Sequence, residues 1–467
     1  MPSLAPSHFD VMVIGGGPAG YAAAIRSSQL GAKVVLIEKD QLGGACLNYA
    51  CVPTKFLRYT GELLHCIEKA PRYGIAVEIK DANWATIQTR RQNLIDSQRD
   101  GMVDFLGDHN INFVYGEAQL LKGRVVSVTT EARESFYSAN RIIIATGSTS
   151  ARLDVPGSEY FISARELFCL DTLPRSLAII GGGPVGVELT SVFTRLGSTV
   201  SLVEALPRIL LSEDAELVGL LEKELKRSRI SLYTASCVDS VEKIERGYRL
   251  RLSGKEGEAI EAEQAVLCIG QRPYLGGLTE AGLVVRRGAL KVDTHLYTGI
   301  DGIYAAGDVT GKAMLAYVAT MQGRVAAENA LGRSTLMRYD AIPRCVFSTP
   351  ELAGVGLTEE SARVAGWDVK IGRSLLSTNV ASAIYGERRG VVKIVTDAKS
   401  GRLLGVHILG HQAPELIHEA TLAIKTRASI RDIQQTLHIH PSLTEALWEA
   451  ALNVTEETAG AKNSTAT

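Results

Sequence analysis

One pattern restricts this chain more than any other, and it occurs twice. Residues 9–14 (FDVMVI) are an almost unbroken apolar run. Gly15-Gly16-Gly17-Pro18-Ala19-Gly20 follows, then a helical stretch over 21–30, Gly31 and the run KVVLIEK with Glu38 near its end. At Leu177 the order returns as LAIIGGGPVG, a helical stretch, Gly197 and TVSLVE ending in Glu204. Gly15, Pro18, Gly20, Gly31 and Glu38 recur as Gly181, Pro184, Gly186, Gly197 and Glu204, each 166 positions on. The apolar runs read as parallel strands buried on both faces. The glycines let backbone amides approach a pyrophosphate at a helix N-terminus, and the acid ending the second strand accepts from a ribose. Two copies predict two dinucleotide-binding units. One would take a flavin through Gly15, Gly17, Gly20 and Glu38. The other would take a nicotinamide through Gly181, Gly183, Gly186 and Glu204, so that hydride passes between them. A 2′-phosphate beside Glu204 would meet a like charge, at a cost on the order of 4 kcal/mol for ~4 Å and an effective dielectric near ~20. The expected nicotinamide is therefore NAD, with Arg208 a surface residue.

Between the copies, residues 43–55 read GGACLNYACVPTK, with Cys46 and Cys51 separated by four residues. They can bridge only if the intervening backbone turns compactly. Pro53 suits the first turn of a helix, which puts Cys51 at or just before a helix N-terminus, where the dipole favours a thiolate. The pair reads as one that opens and closes. A structural pair or half a metal site is the alternative.

Further along, RIIIATGS (141–148) brings Thr146 and Gly147 near a flavin. AVLCIGQRP carries Gly270, a candidate for the nicotinamide, and GIYAAGDV delivers Gly307 and Asp308 to a turn, where Asp308 is either a contact to the flavin or an ordinary turn residue. From Ile342 the nucleotide signature is gone. Strands at 342–347, 367–376, 390–396 and 403–409 alternate with helices at 358–365 and 412–427, a separate α+β unit. It ends in LHIHPSLTEALWEA (437–450), with His438, His440 and Glu445. The expected division is 1–149 for FAD and the cysteine pair, 150–272 for NAD, 273–338 returning to the FAD domain, 339–454 for dimerisation, and a disordered tail over 455–467.

The charge is balanced, 50 basic against 51 acidic residues among 467, so nothing draws the chain to nucleic acid or an anionic membrane. No apolar run approaches the ~20 residues of a membrane span, and MPSLAPSHFD has no secretion signal. Seven scattered cysteines do not form a secreted disulfide framework. A cytoplasmic enzyme is expected.

In order along the chain, GGACLNYACVPTK, IIGGGPVGVE, AAGDV, STPELAGVGLTE and HIHPSLTEA resemble the signatures of the flavin-dependent pyridine nucleotide–disulfide oxidoreductases over nearly the whole length. The likeness is strongest to members that oxidise dihydrolipoyl groups with NAD+. It implies an α/β fold of two Rossmann-like domains, for FAD and NAD, and a C-terminal α+β dimerisation domain. It implies that Cys51 is the flavin-side sulfur and Cys46 the outer one that exchanges with substrate. Lys55 would pair with Glu188 near the flavin. His440 would be the general acid–base, after a cis His440–Pro441 bond, with Glu445 holding its ring. The pair would reach the partner subunit of a homodimer built on residues from about 342. The chemistry agrees: exchange needs a thiolate, a free thiol of pKa ~8.5 is mostly protonated at neutral pH, and an imidazole of pKa ~6.5 can take its proton. A metal at His438 and His440 would need further ligands, and none is evident.

The substrate would be a lipoylated protein or a small dithiol. The alternatives are an NAD(P)H-dependent reductase of a small disulfide or metal ion, or a flavoprotein kept mainly as a structural subunit. Cys345 is the last cysteine, so the C-terminal pair of a mercuric ion reductase is missing. Two departures stand out: Tyr49-Ala50, where relatives carry a small residue and Gly, and Tyr317, where a His is common.

Overall fold

A computed structural model describes residues 7–131, 133–253, 258–278 and 281–454. The tail from Thr455 lies outside the described residues. The chain divides into two compact units. One comprises Met1–Asp154, Phe161–Pro174 and Val266–Arg338; the other comprises Val155–Tyr160, Arg175–Ala265 and Tyr339–Thr467.

The first unit opens with β1 (Ser7–Ile14), α1 (Pro18–Gln29), β2 (Val34–Glu38), α2 (Gly44–Asn48), α3 (Cys51–Lys69) and α4 (Trp84–Asp108). It continues with β3 (Asn112–Tyr115), β4 (Glu117–Leu120), β5 (Val125–Thr129) and β6 (Glu134–Ile144). The sheet order is β3-β2-β1-β6-β5-β4. The first four strands run parallel, and β5 and β4 join antiparallel. Val11, Met12, Val13, Leu36 and Ile142–Ile144 are fully or almost fully buried, which is why those strands carry no polar alternation. The strand Ile303–Ala305 pairs in parallel with the end of β6, so residues 266–338 return to this sheet. The helix Ala316–Ala330 then packs on α1 through small residues. A Cβ on Gly323 would fall 2.0 Å from the carbonyl oxygen of Ala19, so only glycine permits that approach.

The second unit repeats the opening. Strands Ser176–Ile180, Thr199–Val203 and Ser231–Tyr233 form a parallel sheet, with the helix Pro184–Arg195 after the first strand and Ala215–Arg227 after the second. Strands Val238–Ile244, Gly247–Leu252 and Ala259–Ala262 form an antiparallel sheet. The C-terminal part is a five-stranded antiparallel sheet ordered 344–346, 352–356, 403–409, 391–397, 369–375. Val392, Ile394, Val406 and Ile408 pack on one face against Ala413–Lys425, Ile430–Gln435 and Glu445–Leu452. Every residue of Val391–Asp397 and Leu403–Leu409 is buried, so the opposite face is covered too.

That opposite face carries a charge. Lys393, whose side chain is 3% exposed, points into three carboxylates: Asp214 at 3.0 Å, Glu216 at 2.8 Å and Glu359 at 2.8 Å. Asp214 also caps the helix Ala215–Arg227 by accepting from the amides of Glu216 and Leu217. Burial pulls the Lys393 ammonium down, but its carboxylates overbalance that and hold it above its usual pKa. Hydrogen bonds from Arg373, then Lys393, hold Glu216 at about 2 against the cost of burial.

Lys393→Met would leave three carboxylates around a missing cation, and should destabilise the chain by ~3–5 kcal/mol in urea unfolding at neutral pH. Glu216 has its pKa depressed on folding, so its share of stability is complete above the ordinary 4.5 and is lost as pH falls toward about 2. Unfolding midpoints measured between these limits should fall steeply with acid in the native chain and less so in the Lys393→Met variant.

Candidate active site

The two glycine turns are built alike, bond for bond. Gly15 has φ +103° and Gly181 φ +110°, and their amides donate to Ile37 O and Val203 O at 2.8 Å each. A Cβ on Gly20 would lie 1.7 Å from Gly15 O, and one on Gly186 would lie 1.8 Å from Gly181 O. Each helix therefore crosses its strand end at a distance no side chain allows. Gly17 and Gly183 cap the two helices in extended backbone, with proline next.

Glu38 accepts from the amides of Gly16 (2.5 Å) and Asp40 (2.7 Å), and Glu204 from those of Gly182 (2.6 Å) and Leu206 (2.7 Å). Each carboxylate is thereby fixed at its strand end. A Cβ on Gly183 would meet nothing within 4 Å and one on Gly17 only Gly44 Cα at 3.9 Å, so space stands before both turns. A bare helix N-terminus, open space and an anchored acid fit a dinucleotide at each site. Arg208 spends its guanidinium on the carbonyls of Leu211 and Glu213.

The first unit also holds the cysteines. Cys46 lies on α2 and Cys51 is the first residue of α3, with Pro53 two positions on. Both are partly buried thiols with no disulfide between them. A hydrogen bond shared with Cys51, and then burial, push the Cys46 thiol up; the charge of Lys55, one turn along α3, opposes this. A protonated resting thiol of this kind needs a base before it can exchange. Ala50 has φ −137°, outside the left-handed region that favours glycine.

Asp308 starts the turn after Ile303–Ala305. It accepts from Ser148 Oγ at 2.7 Å, and burial raises its pKa against that bond. Its charge is felt at Cys46. Gly307, at φ +81°, donates to Gln322 Oε1 at 2.6 Å. Thr146 donates to the carbonyl of Tyr274, and Tyr274 N returns a bond to Gly147 O. Gly147 (φ +75°) and Gly270 (φ +110°) both face open space. Ser148 closes the motif RIIIATGS, while Tyr274 and Gln322 lie outside any motif; sequence reasoning singled out none of the three, since each acts only as a partner of another residue.

The second unit holds the remaining candidates. Glu188, on the helix Pro184–Arg195 and 7% exposed, accepts from Phe347 N at 3.0 Å. Lys55 belongs to the first unit, so its pairing with Glu188 would join the two. His440 precedes a cis proline, and its Nδ1 lies 2.9 Å from Glu445 Oε1. Its ring is 70% exposed. The Ser442 amide and then the His440 ring hold Glu445 below the usual carboxylate range. With Nδ1 bonded to the acid, Nε2 is left facing outward. His438 is turned away, against Thr436 O and Glu419. Leu437 and Ile439 are 97% and 80% exposed on either side of it. Among the described residues no group of three or more His, Cys, Asp or Glu could hold a metal, and no helix is long and apolar enough to cross a membrane.

Residues 9–323 match the pyridine nucleotide-disulphide oxidoreductase family, and 342–451 match the family's dimerisation domain. Similar proteins include a dihydrolipoyl dehydrogenase of Thermus scotoductus, 38% identical over 95% of this chain and 96% of that one. Another, of Bacillus subtilis, is 32% identical over 94% and 97%. Among solved structures, LpdA of Mycobacterium tuberculosis superimposes with a TM-score of 0.89 at 29% identity, covering 96% of this chain and all of LpdA. The HOCl-induced flavoprotein disulfide reductase RclA of Escherichia coli gives 0.87 at 26%, with the same coverage. The chain belongs to the pyridine nucleotide-disulphide oxidoreductase family, and its cofactors are FAD and NAD.

Proposed function

We propose that this protein is a dihydrolipoyl dehydrogenase, oxidising dihydrolipoyl groups with NAD+ through Cys46 and Cys51. The observation that carries the reading is the thiol pair, Cys46 on α2 and Cys51 at the start of α3, in the same unit as the first glycine turn. Dihydrolipoyl dehydrogenases aligned end to end at 32–38% identity support it.

In the oxidised enzyme the two sulfurs form a disulfide. A substrate thiolate attacks Cys46 Sγ, and Cys51 leaves as a thiolate at the helix N-terminus. His440 Nε2 takes the proton of the second substrate thiol, which attacks the mixed disulfide, closes the substrate's own disulfide and releases Cys46. Glu445 fixes the imidazole tautomer and balances its charge, as the acid does in a catalytic triad. Gly15, Gly17, Gly20, Glu38, Thr146, Gly147 and Asp308 would hold FAD, which when bound would supply the two-electron link from the thiol pair to NAD+. Gly181, Gly183, Gly186, Glu204 and Gly270 would hold the nicotinamide nucleotide.

The dimerisation domain supports a homodimer, in which His440 and Glu445 would serve the partner's cysteines. A lipoylated protein is the natural substrate of this reading, and the cytoplasm its setting. A second reading is favoured by the RclA likeness together with Tyr317: reduction of a small disulfide by NADH. Comparing kcat/KM for dihydrolipoamide with NAD+ against NADH with small disulfides separates the two, and a preference for the second pair would overturn the dehydrogenase.

Three outcomes are expected. Cys46→Ser should cut dihydrolipoamide oxidation by at least about a thousandfold while the protein stays yellow. His440→Gln should lower kcat by ~10²–10⁴ and leave NADH oxidation by a non-thiol acceptor untouched. Steady-state kinetics with both nucleotides should favour NAD+ over NADP+ by about a hundredfold or more in kcat/KM, given the Glu204 charge.

A further inference from the structure

The turn between the two cysteines is tied down by contacts that the proposed chemistry leaves unused. Asn48 donates to Leu42 O at 3.0 Å and Gly44 O at 2.8 Å, and accepts from Arg99 of α4 at 3.1 Å. Tyr49, at the C-terminal end of α2, donates its phenol to Asp40 Oδ1 at 3.0 Å. The Arg165 guanidinium lies 3.6 Å over the Tyr49 ring and donates to Asp40 Oδ2 at 3.0 Å. Tyrosine, aspartate and arginine thus close a triangle. Asp40 in turn gives its amide to Glu38, the acid of the first glycine turn. Burial, and then the bond to Asp40, push the Tyr49 phenol up to about 12, so it keeps its proton to donate at any working pH.

We propose that Tyr49, held by Asp40 and Arg165, is a positioning residue that fixes the Cys46–Cys51 turn in the conformation that closes to a disulfide, and thereby sets the reduction potential of the pair. The proposal rests on reading these two cysteines as the redox pair. Closing the bridge removes two protons and two electrons from the thiols and breaks the S–S bond of a partner disulfide, which leaves as a dithiol. In a loose turn the thiols must find each other against chain entropy; in a fixed one they already share a hydrogen bond. Fixing the turn favours the bridge and lowers its potential, so freeing Tyr49 raises it.

The test equilibrates full-length protein in mixtures of reduced and oxidised dithiothreitol, traps free thiols by alkylation and counts them at positions 46 and 51 by peptide mass. Tyr49→Ala should weaken bridge formation about tenfold, a rise of ~30 mV for a two-electron couple. Tyr49→Phe keeps the ring under Arg165 and should recover part of the loss, and Arg165→Gln should shift the potential in the same direction as Tyr49→Ala. Circular dichroism checks that each variant is folded. If Tyr49→Ala does not fold, the other two decide. A wild-type potential in every folded variant overturns the role of Tyr49 and leaves the redox pair standing. A native protein that never bridges Cys46 to Cys51 overturns both.

Discussion

Both nucleotide turns depend on one kind of contact, a strand-end carboxylate accepting from the second glycine amide of its own turn. Glu38 with Gly16 and Glu204 with Gly182 make this bond across the same sequence separation of 22 residues. It fixes three things together: where the strand stops, how closely the helix N-terminus follows, and which way the acid faces. An amide inside a turn this tight would otherwise be an unsatisfied donor. The carboxylate that satisfies it is of the kind suited to a ribose.

The two units divide the remaining residues by chemistry. The sulfurs sit in the unit whose central parallel strands are apolar, beside a helix start and one lysine. The imidazole and its acid sit in the unit that carries the dimerisation domain and a buried ion cluster. Cys46 and Cys51 thus lie in one unit, and His440 and Glu445 in the other.

Much of this was legible in the sequence because the informative positions obey backbone rules. Gly15, Gly20, Gly181 and Gly186 are forced by positive φ or by contacts a Cβ would violate, and such constraints show in a single sequence. The apolar runs of both parallel sheets were equally plain. What stayed hidden had weak local signals. The strand Leu352–Gly356 has glycine at two of its five positions. The helices Val380–Tyr385 and Ile430–Gln435 are six residues each, too short for periodicity to declare them. The segment Phe161–Pro174 belongs with the first unit, though it precedes the second nucleotide fold in the chain, and a unit assembled from three separate stretches leaves no mark in composition. Lys393 reads as an exposed position in a strand until its three carboxylates, distant in sequence, are seen around it.

The packing of α1 against Ala316–Ala330 has a consequence for how the chain is made. Arg26 of α1 bonds Glu328 across 302 residues, and Gly323 lies against Ala19. During synthesis at ~5–20 residues per second, the alanine face of α1 leaves the ribosome well before the helix that covers it exists. The second nucleotide fold is translated in that interval. The first unit is consequently the later of the two nucleotide folds to be finished, although its sequence comes first, and a ribosome stalled near residue 300 would display that alanine face bare.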